Sequence, residues 1–202
     1  MKSDNADYLE TESFWHWFED VANDLALNLE NPAIVRELDR RVRGLHPELS
    51  WEIGPGLERA CQLVISPNLN PGLRTTAREI VARAPDISSW EFHPARQAKD
   101  WDYVLEFRTD SGAGIRIDSS AWTFVLLKYP NRSHEVLLKG DNLSGLGVDE
   151  RWQAAALTLE SIVGEDAVID RIDSFELVDS LEPRFAVKAR PIQELRAALA
   201  VP

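Results

Sequence analysis

Cysteine is almost absent: Cys61 is the single one in 202 residues. One thiol cannot close a disulfide within its own chain, nor supply the paired cysteines of a zinc finger or ribbon. Long apolar runs are missing as well, and no stretch approaches the ~18 consecutive apolar residues that span a bilayer. The opening MKSDNADYLE is acidic and has no apolar core, unlike a secretory signal or transit peptide. Four histidines, His16, His46, His93 and His134, are scattered, with neither a His-x-x-x-His pair nor a His-Glu-x-x-His motif. No internal repeat, low-complexity tract or Gly/Ser/Pro linker divides the chain. These absences lead to the expectation of a cytoplasmic protein with no metal, no cofactor and no membrane partner. They also favour one domain over residues 1–202, with residues 1–10 a poorly ordered acidic N-terminus.

Positive charge is scarce too. Twenty-two Lys and Arg face 34 Asp and Glu, a formal net charge of −12. The excess is uneven: −7 over residues 1–30, zero over 31–138, −8 over 139–182 and +3 beyond. A nucleic-acid binder needs a net basic face to displace counterions, so that class is excluded. Arg36, Arg40, Arg41 and Arg43 fall at helical spacing and read as a solvated face.

What is present is an ordinary globular composition, 44% apolar and 28% charged. Thr11 or Ser13 can cap a first helix carrying Phe14, Phe18, Val21, Leu25 and Leu29 on one stripe. Asn31-Pro32 opens a second helix with Val35, Leu38, Val42 and Leu45 in a row, and the short link predicts a helical hairpin. Leu49–Ile53 and Cys61–Ile65 alternate about Gly54-Pro55-Gly56 as a β-hairpin. Asn70-Pro71 starts a third helix through Leu73, Ala77, Ile80 and Ala84. Residues 90–92 form a short strand. Trp101, Tyr103, Leu105 and Phe107 then alternate through a longer one, the first of an antiparallel meander to Lys139 with turns at 109–114 and 130–131. A fourth helix places Val148, Trp152, Ala155, Leu159 and Ile162 in one row and stops at Gly164. Residues 168–178 and 185–187 alternate weakly as strands, and Pro191 opens a last helix. The predicted class is α+β: a mixed, largely antiparallel sheet, an N-terminal helical hairpin, and helices packed on the sheet.

Sequences that carry chemistry are sparse. Gly145-Leu-Gly147 evokes a dinucleotide loop, but Asp149 and Glu150 would repel a pyrophosphate at the helix start, so the loop reads as hinge or cap. Cys61 lies on a strand face and reads as a buried thiol. Ser119-Ser120 lacks a nucleophile elbow. The polar bend at 90–102 is the best candidate for a site. Glu91, His93, Asp100 and Asp102 can carry acid–base chemistry, with His93 near Asp100, Arg96 as an anion clamp and Trp90 and Trp101 as walls. Alternatively Trp90, Phe92, His93, Arg96 and Lys99 form a protein-binding surface, being largely the residue types enriched at hot spots.

The segments FWHWF, HPELSWEIG, QLVIS, RAPDISSW, EFHPARQ and VGEDAVIDRID together resemble an uncharacterised family of bacterial α+β proteins over residues 14–178. Arg171-Ile172-Asp173 departs from the Ile-Gly of that pattern. The resemblance implies a mixed sheet with helices, and no established activity, cofactor or site residue. The function expected from sequence is therefore a non-catalytic, protein-binding domain, adaptor or immunity-like, with homo-oligomerisation open. The alternative is a small hydrolase or small-ligand domain using the 90–102 bend.

Overall fold

The computed structural model describes residues 3–108, 112, 114–130 and 134–199. They form an α+β fold, 43% helical and 25% strand, in which an N-terminal helical hairpin accompanies three mixed, largely antiparallel sheets. The chain falls into two compact units, residues 1–96 and 97–202.

In the first unit, α1 (Ser3–Leu27) and α2 (Pro32–Leu45) form the hairpin. α1 starts well before Thr11 and Ser13, so neither caps it; Thr11 is buried within the helix. The acidic composition of residues 3–12 suits the positive end of a helix dipole, which carries the helix further back than the aromatic stripe does. At α2 the reading holds: the Asn31 side chain accepts from the N–H groups of Ala33 (3.1 Å) and Ile34 (3.4 Å), and Pro32 needs no partner at the first helical position.

β1 (Ser50–Pro55) and β2 (Cys61–Ser66) pair antiparallel, with Trp51 opposite Ile65. A 3-10 turn at Pro71–Leu73 leads into α3 (Arg74–Val81), whose Ala77 and Ile80 are buried. β3 (Trp90–His93) then joins β2 in parallel, so the order is β1-β2-β3. Every residue of β2, the central strand, is buried, as a strand flanked on both edges and covered by helices requires. The core combines Phe14, Trp15, Phe18 and Leu25 of α1 with Leu63, Ile65 and Trp90 of the sheet. Its aromatic pairs meet edge to face, Phe18 and Trp90 at 5.0 Å and Trp15 and Phe92 at 4.9 Å between centroids. Trp15 donates to the Ile80 carbonyl (2.8 Å) and Trp90 to that of Ala22 (3.0 Å), so both indole N–H groups are satisfied inside. The segment FWHWF is thus core on the faces of Phe14, Trp15 and Phe18, while His16 is exposed.

In the second unit β4 (Val104–Arg108) and β5 (Gly114–Asp118) form a two-stranded antiparallel sheet. β4 begins three residues later than the alternation predicts. Asp102 Oδ1 takes the Val104 N–H (3.2 Å) and Tyr103 sits at φ +63°, an Asx-type turn that breaks the extended backbone ahead of the strand. β6 (Thr123–Lys128) and β7 (His134–Lys139) pair antiparallel in a separate sheet. The meander is therefore interrupted between β5 and β6, where Ser119–Trp122 form a turn that bonds back on itself, Trp122 N–H to Ser119 carbonyl at 3.0 Å. The turns expected at 109–114 and 130–131 fall largely outside the described residues.

α4 (Val148–Val163) ends at Gly164, whose φ of +84° favours glycine. The expected strand at 168–178 divides into a helix, α5 (Glu165–Arg171), and a strand, β8 (Ile172–Val178). Glu165 and Asp166 in its first turn and Arg171 in its last complement the dipole of α5, a pattern the weak alternation concealed. α6 (Pro183–Ala186) replaces the strand expected at 185–187, with Pro183 opening it. β9 (Arg190–Pro191) pairs with β6, and α7 (Leu195–Ala198) follows a 3-10 turn at Ile192–Glu194. This last sheet has the order β8-β7-β6-β9, with β7 and β8 parallel.

Candidate functional site

The bend singled out in the sequence straddles the boundary of the units, so its two halves are described separately. In the first half Glu91 is the organising group. Its carboxylate accepts the backbone N–H groups of Leu57 (2.6 Å), Glu58 (2.8 Å) and Arg59 (2.9 Å), and His93 Nε2 lies 3.1 Å from it. Burial pushes this carboxyl up; the Leu57 N–H, the His93 ring and the N–H groups of Glu58 and Arg59 outweigh it and hold the pKa at about 2. Arg59 fixes the same loop from the other side, donating to Asp86 (3.0 Å) and to the carbonyls of Ile87 (2.7 Å) and Trp90 (2.8 Å). Gly56 permits the approach, since a Cβ there would stand 2.5 Å from the Arg59 carbonyl oxygen. Glu91 is a loop clamp, and the carboxylate beside His93 is this one.

The neighbouring candidates are drawn inward. Trp90 has no exposed surface, and Phe92 packs on the aromatic core. Arg96 donates to Ser66 Oγ and Ser50 Oγ, both at 2.9 Å, and its Nε stands 3.6 Å from the Glu52 carboxylate. Its guanidinium ties β1 to β2 from a largely buried position.

In the second half the Lys99 N–H donates to the Ser161 carbonyl (2.7 Å), and Asp100 and Asp102 are exposed. A cavity of about 430 Å³ opens here, lined by Lys99, Asp100, Trp101, Tyr103, Gln193 and Arg196. The Trp101 indole N–H is buried and has no acceptor among the described residues. Arg196 is anchored through its Nε to the Ile162 carbonyl (2.8 Å).

A third feature lies on α4, whose apolar residues fall in one row in the sequence. Of the α4 row, Ala155, Leu159 and Ile162 are buried as expected, but Val148 is 84% and Trp152 47% exposed. The buried stretch begins at Ala154-Ala155-Ala156, where small side chains allow close packing. The first turn stays in water with Asp149 and Glu150, and its apolar neighbours stay with it. Trp152 lies against Phe175 of β8, centroids 5.7 Å apart, at a groove of about 460 Å³ also lined by Val148, Arg151, Ala155 and Leu177. Arg151 pairs with Asp179 (2.8 Å) and donates to the Leu146 carbonyl (3.2 Å), fixing the glycine loop ahead of the helix. That loop serves as a cap, with Gly147 at the N-cap position. The signal for this groove in sequence is a Trp and a Val beside two carboxylates on one helical turn.

Among the described residues no group of three His, Cys, Asp or Glu side chains is placed to hold a metal ion, and no helix is long and apolar enough to cross a membrane. Cys61 is buried and its thiol pKa is raised by that burial, which leaves it a packing residue. Comparison with protein-family models, curated proteins and solved structures finds no match, so a functional reading rests on this chain's own residues.

Proposed function

We propose that the chain is a non-catalytic protein-binding domain, of the adaptor or immunity-protein kind, and that its binding surface is the groove between α4 and β8. The observation that carries the reading is the exposure of Val148 and Trp152 beside Phe175, on the same face of a helix whose remaining apolar row is buried. Exposed large apolar groups gathered in a groove and rimmed by charge are a mark of recognition surfaces. The bend favoured from sequence is a weaker surface, because Trp90, Phe92 and Arg96 are spent on internal packing and bonding. Selection of a displayed random-peptide library on the immobilised chain tests the reading. The wild type enriches a peptide family, and Val148→Asp or Trp152→Ala, with unchanged thermal melts, loses it. Failure of the wild type to enrich any family, or enrichment of the same family by both variants, overturns it.

A second reading, a small-ligand domain, is favoured by one observation: the unpartnered indole N–H of Trp101 at a cavity shared by Lys99 and Arg196. The ligand it suits is a small anion with an acceptor oxygen. A thermal-shift panel of small carboxylates and phosphates decides it: a stabilisation abolished by Arg196→Gln supports it, and no stabilisation rejects it.

A further inference from the structure

We infer that the groove takes its partner as an added β-strand along the outer edge of β8, and that this partner is an extended segment alternating apolar with basic residues. The inference rests on the protein-binding reading above and specifies its chemistry.

Among the described residues β8 is the terminal strand of its sheet, paired with β7 alone. The Val178 carbonyl faces β7, accepting the Gly140 N–H at 3.1 Å. Backbone direction alternates along a strand, so Val178, Glu176 and Ser174 direct their peptide groups to β7 while Leu177 and Phe175 direct theirs to the open edge. Such an edge is a template for a further strand.

Side chains alternate with the same period. Phe175 and Leu177 lie on the α4 side, in the groove with Trp152 and Val148. Ser174 and Glu176, both exposed, take the opposite face. A strand laid beside β8 meets apolar surface with every second residue, and the residue between two of these meets the Glu176 carboxylate. The charges fix the sign of the latter. Arg151, the one base lining the groove among the described residues, is already paired with Asp179, which leaves Glu176 as the carboxylate for a partner to meet. The segment from 139 to 182 carries −8 in all. Lys or Arg between two apolar residues satisfies this surface, and Asp or Glu there is repelled.

The same charges argue against a second copy as occupant. Two β8 edges paired about a two-fold axis would bring Asp173, Glu176 and Asp179 of one chain toward those of the other, and like charges across a strand pair are unfavourable.

The test uses the full chain and three fluorescein-labelled synthetic peptides, each with Gly/Ser flanks, read by fluorescence anisotropy at fixed salt. One has a Leu-Lys-Leu-Lys-Leu core, one a Leu-Glu-Leu-Glu-Leu core, and one is the lysine peptide N-methylated on alternate backbone amides. The expected result is binding of the lysine peptide about tenfold or more tighter than either of the others, with Glu176→Lys removing the preference for lysine over glutamate. Equal binding of the methylated peptide overturns strand addition. A charge preference unmoved by Glu176→Lys overturns the assigned partner. A dimer in sedimentation that Trp152→Ala dissociates assigns the edge to a second copy and overturns it likewise. In each of these cases, enrichment of any Trp152-dependent peptide family from the library leaves the protein-binding reading standing. Absence of enrichment removes that reading as well.

Discussion

Glu91 illustrates how a side chain of catalytic type is committed to structure. Three backbone N–H groups and an imidazole converge on a carboxylate that is 11% exposed, and an acceptor so fully used has little capacity left to take a proton from a substrate. Its pKa lies at about 2, against 4.5 for an ordinary glutamate. Between those values the unfolded chain binds a proton that the folded chain refuses. The stabilisation from Glu91 is therefore complete above pH 4.5 and is lost as pH falls toward 2. Glu91→Gln is expected to cost about 1–3 kcal/mol at neutral pH. In urea titrations the gap between the wild type and this variant should narrow on acidification from about pH 6 to about pH 3; a constant gap would count against the clamp. Trp90 supplies a second case. Trp90→Ala should cost about 3–5 kcal/mol through the void it leaves. Trp90→Phe should cost about 1–3 kcal/mol, since it removes the indole bond to the Ala22 carbonyl as well as shrinking the ring. Equilibrium denaturation measures both, and a near-neutral Trp90→Ala would return this residue to the list of surface candidates.

At the scale of elements, what the sequence disclosed follows from which interactions are local. Asn31-Pro32 specified the start of α2 because cap and first turn are adjacent in the chain. The hairpin of β1 and β2 was legible from the two runs on either side of Gly54-Pro55-Gly56, although β1 continues through Gly54 and Pro55, paired with Gln62 and Cys61, and the chain turns after them. Parallel pairing of β3 with β2, and of β8 with β7, was not legible, since each joins strands separated by intervening helical segments and leaves no adjacent signal. α5 was mistaken for strand because seven residues give too few turns for a 3.6 period to stand out from a period of two. α4 misled in another way. Its apolar row is continuous in sequence, but periodicity reports the face a residue occupies and says nothing of whether another element covers that part of the helix. Only the tertiary packing exposes Val148 and Trp152. With both side chains in contact with water, Val148→Asp and Trp152→Ala each shift stability by no more than about 0.5 kcal/mol. A loss of several kcal/mol in thermal or urea unfolding would place both residues in a core.

At the scale of the whole molecule, the sequence contained no linker from which two compact units could be read, and the boundary falls inside the bend that had looked most like a site. Of the expected acid–base group, Glu91 meets His93 at 3.1 Å, while Asp100 and Asp102 belong to the other unit. The first unit's core centres on α1 and Trp90, and the second unit buries Trp122, Phe124, Leu138 and Leu159. Fragments 1–96 and 97–202, expressed separately, should each melt cooperatively by circular dichroism; a fragment without a transition would mean that its core is incomplete alone. The acidic excess falls chiefly on residues 1–30 and 139–182, and the second of these segments holds the groove. An NMR titration of the labelled full chain with the Leu-Lys-Leu-Lys-Leu peptide reads recognition at that groove residue by residue. Binding there predicts amide shift changes concentrated in residues 148–155 of α4 and 173–179 of β8. Changes confined to residues 98–103, or none at saturating peptide, contradict it.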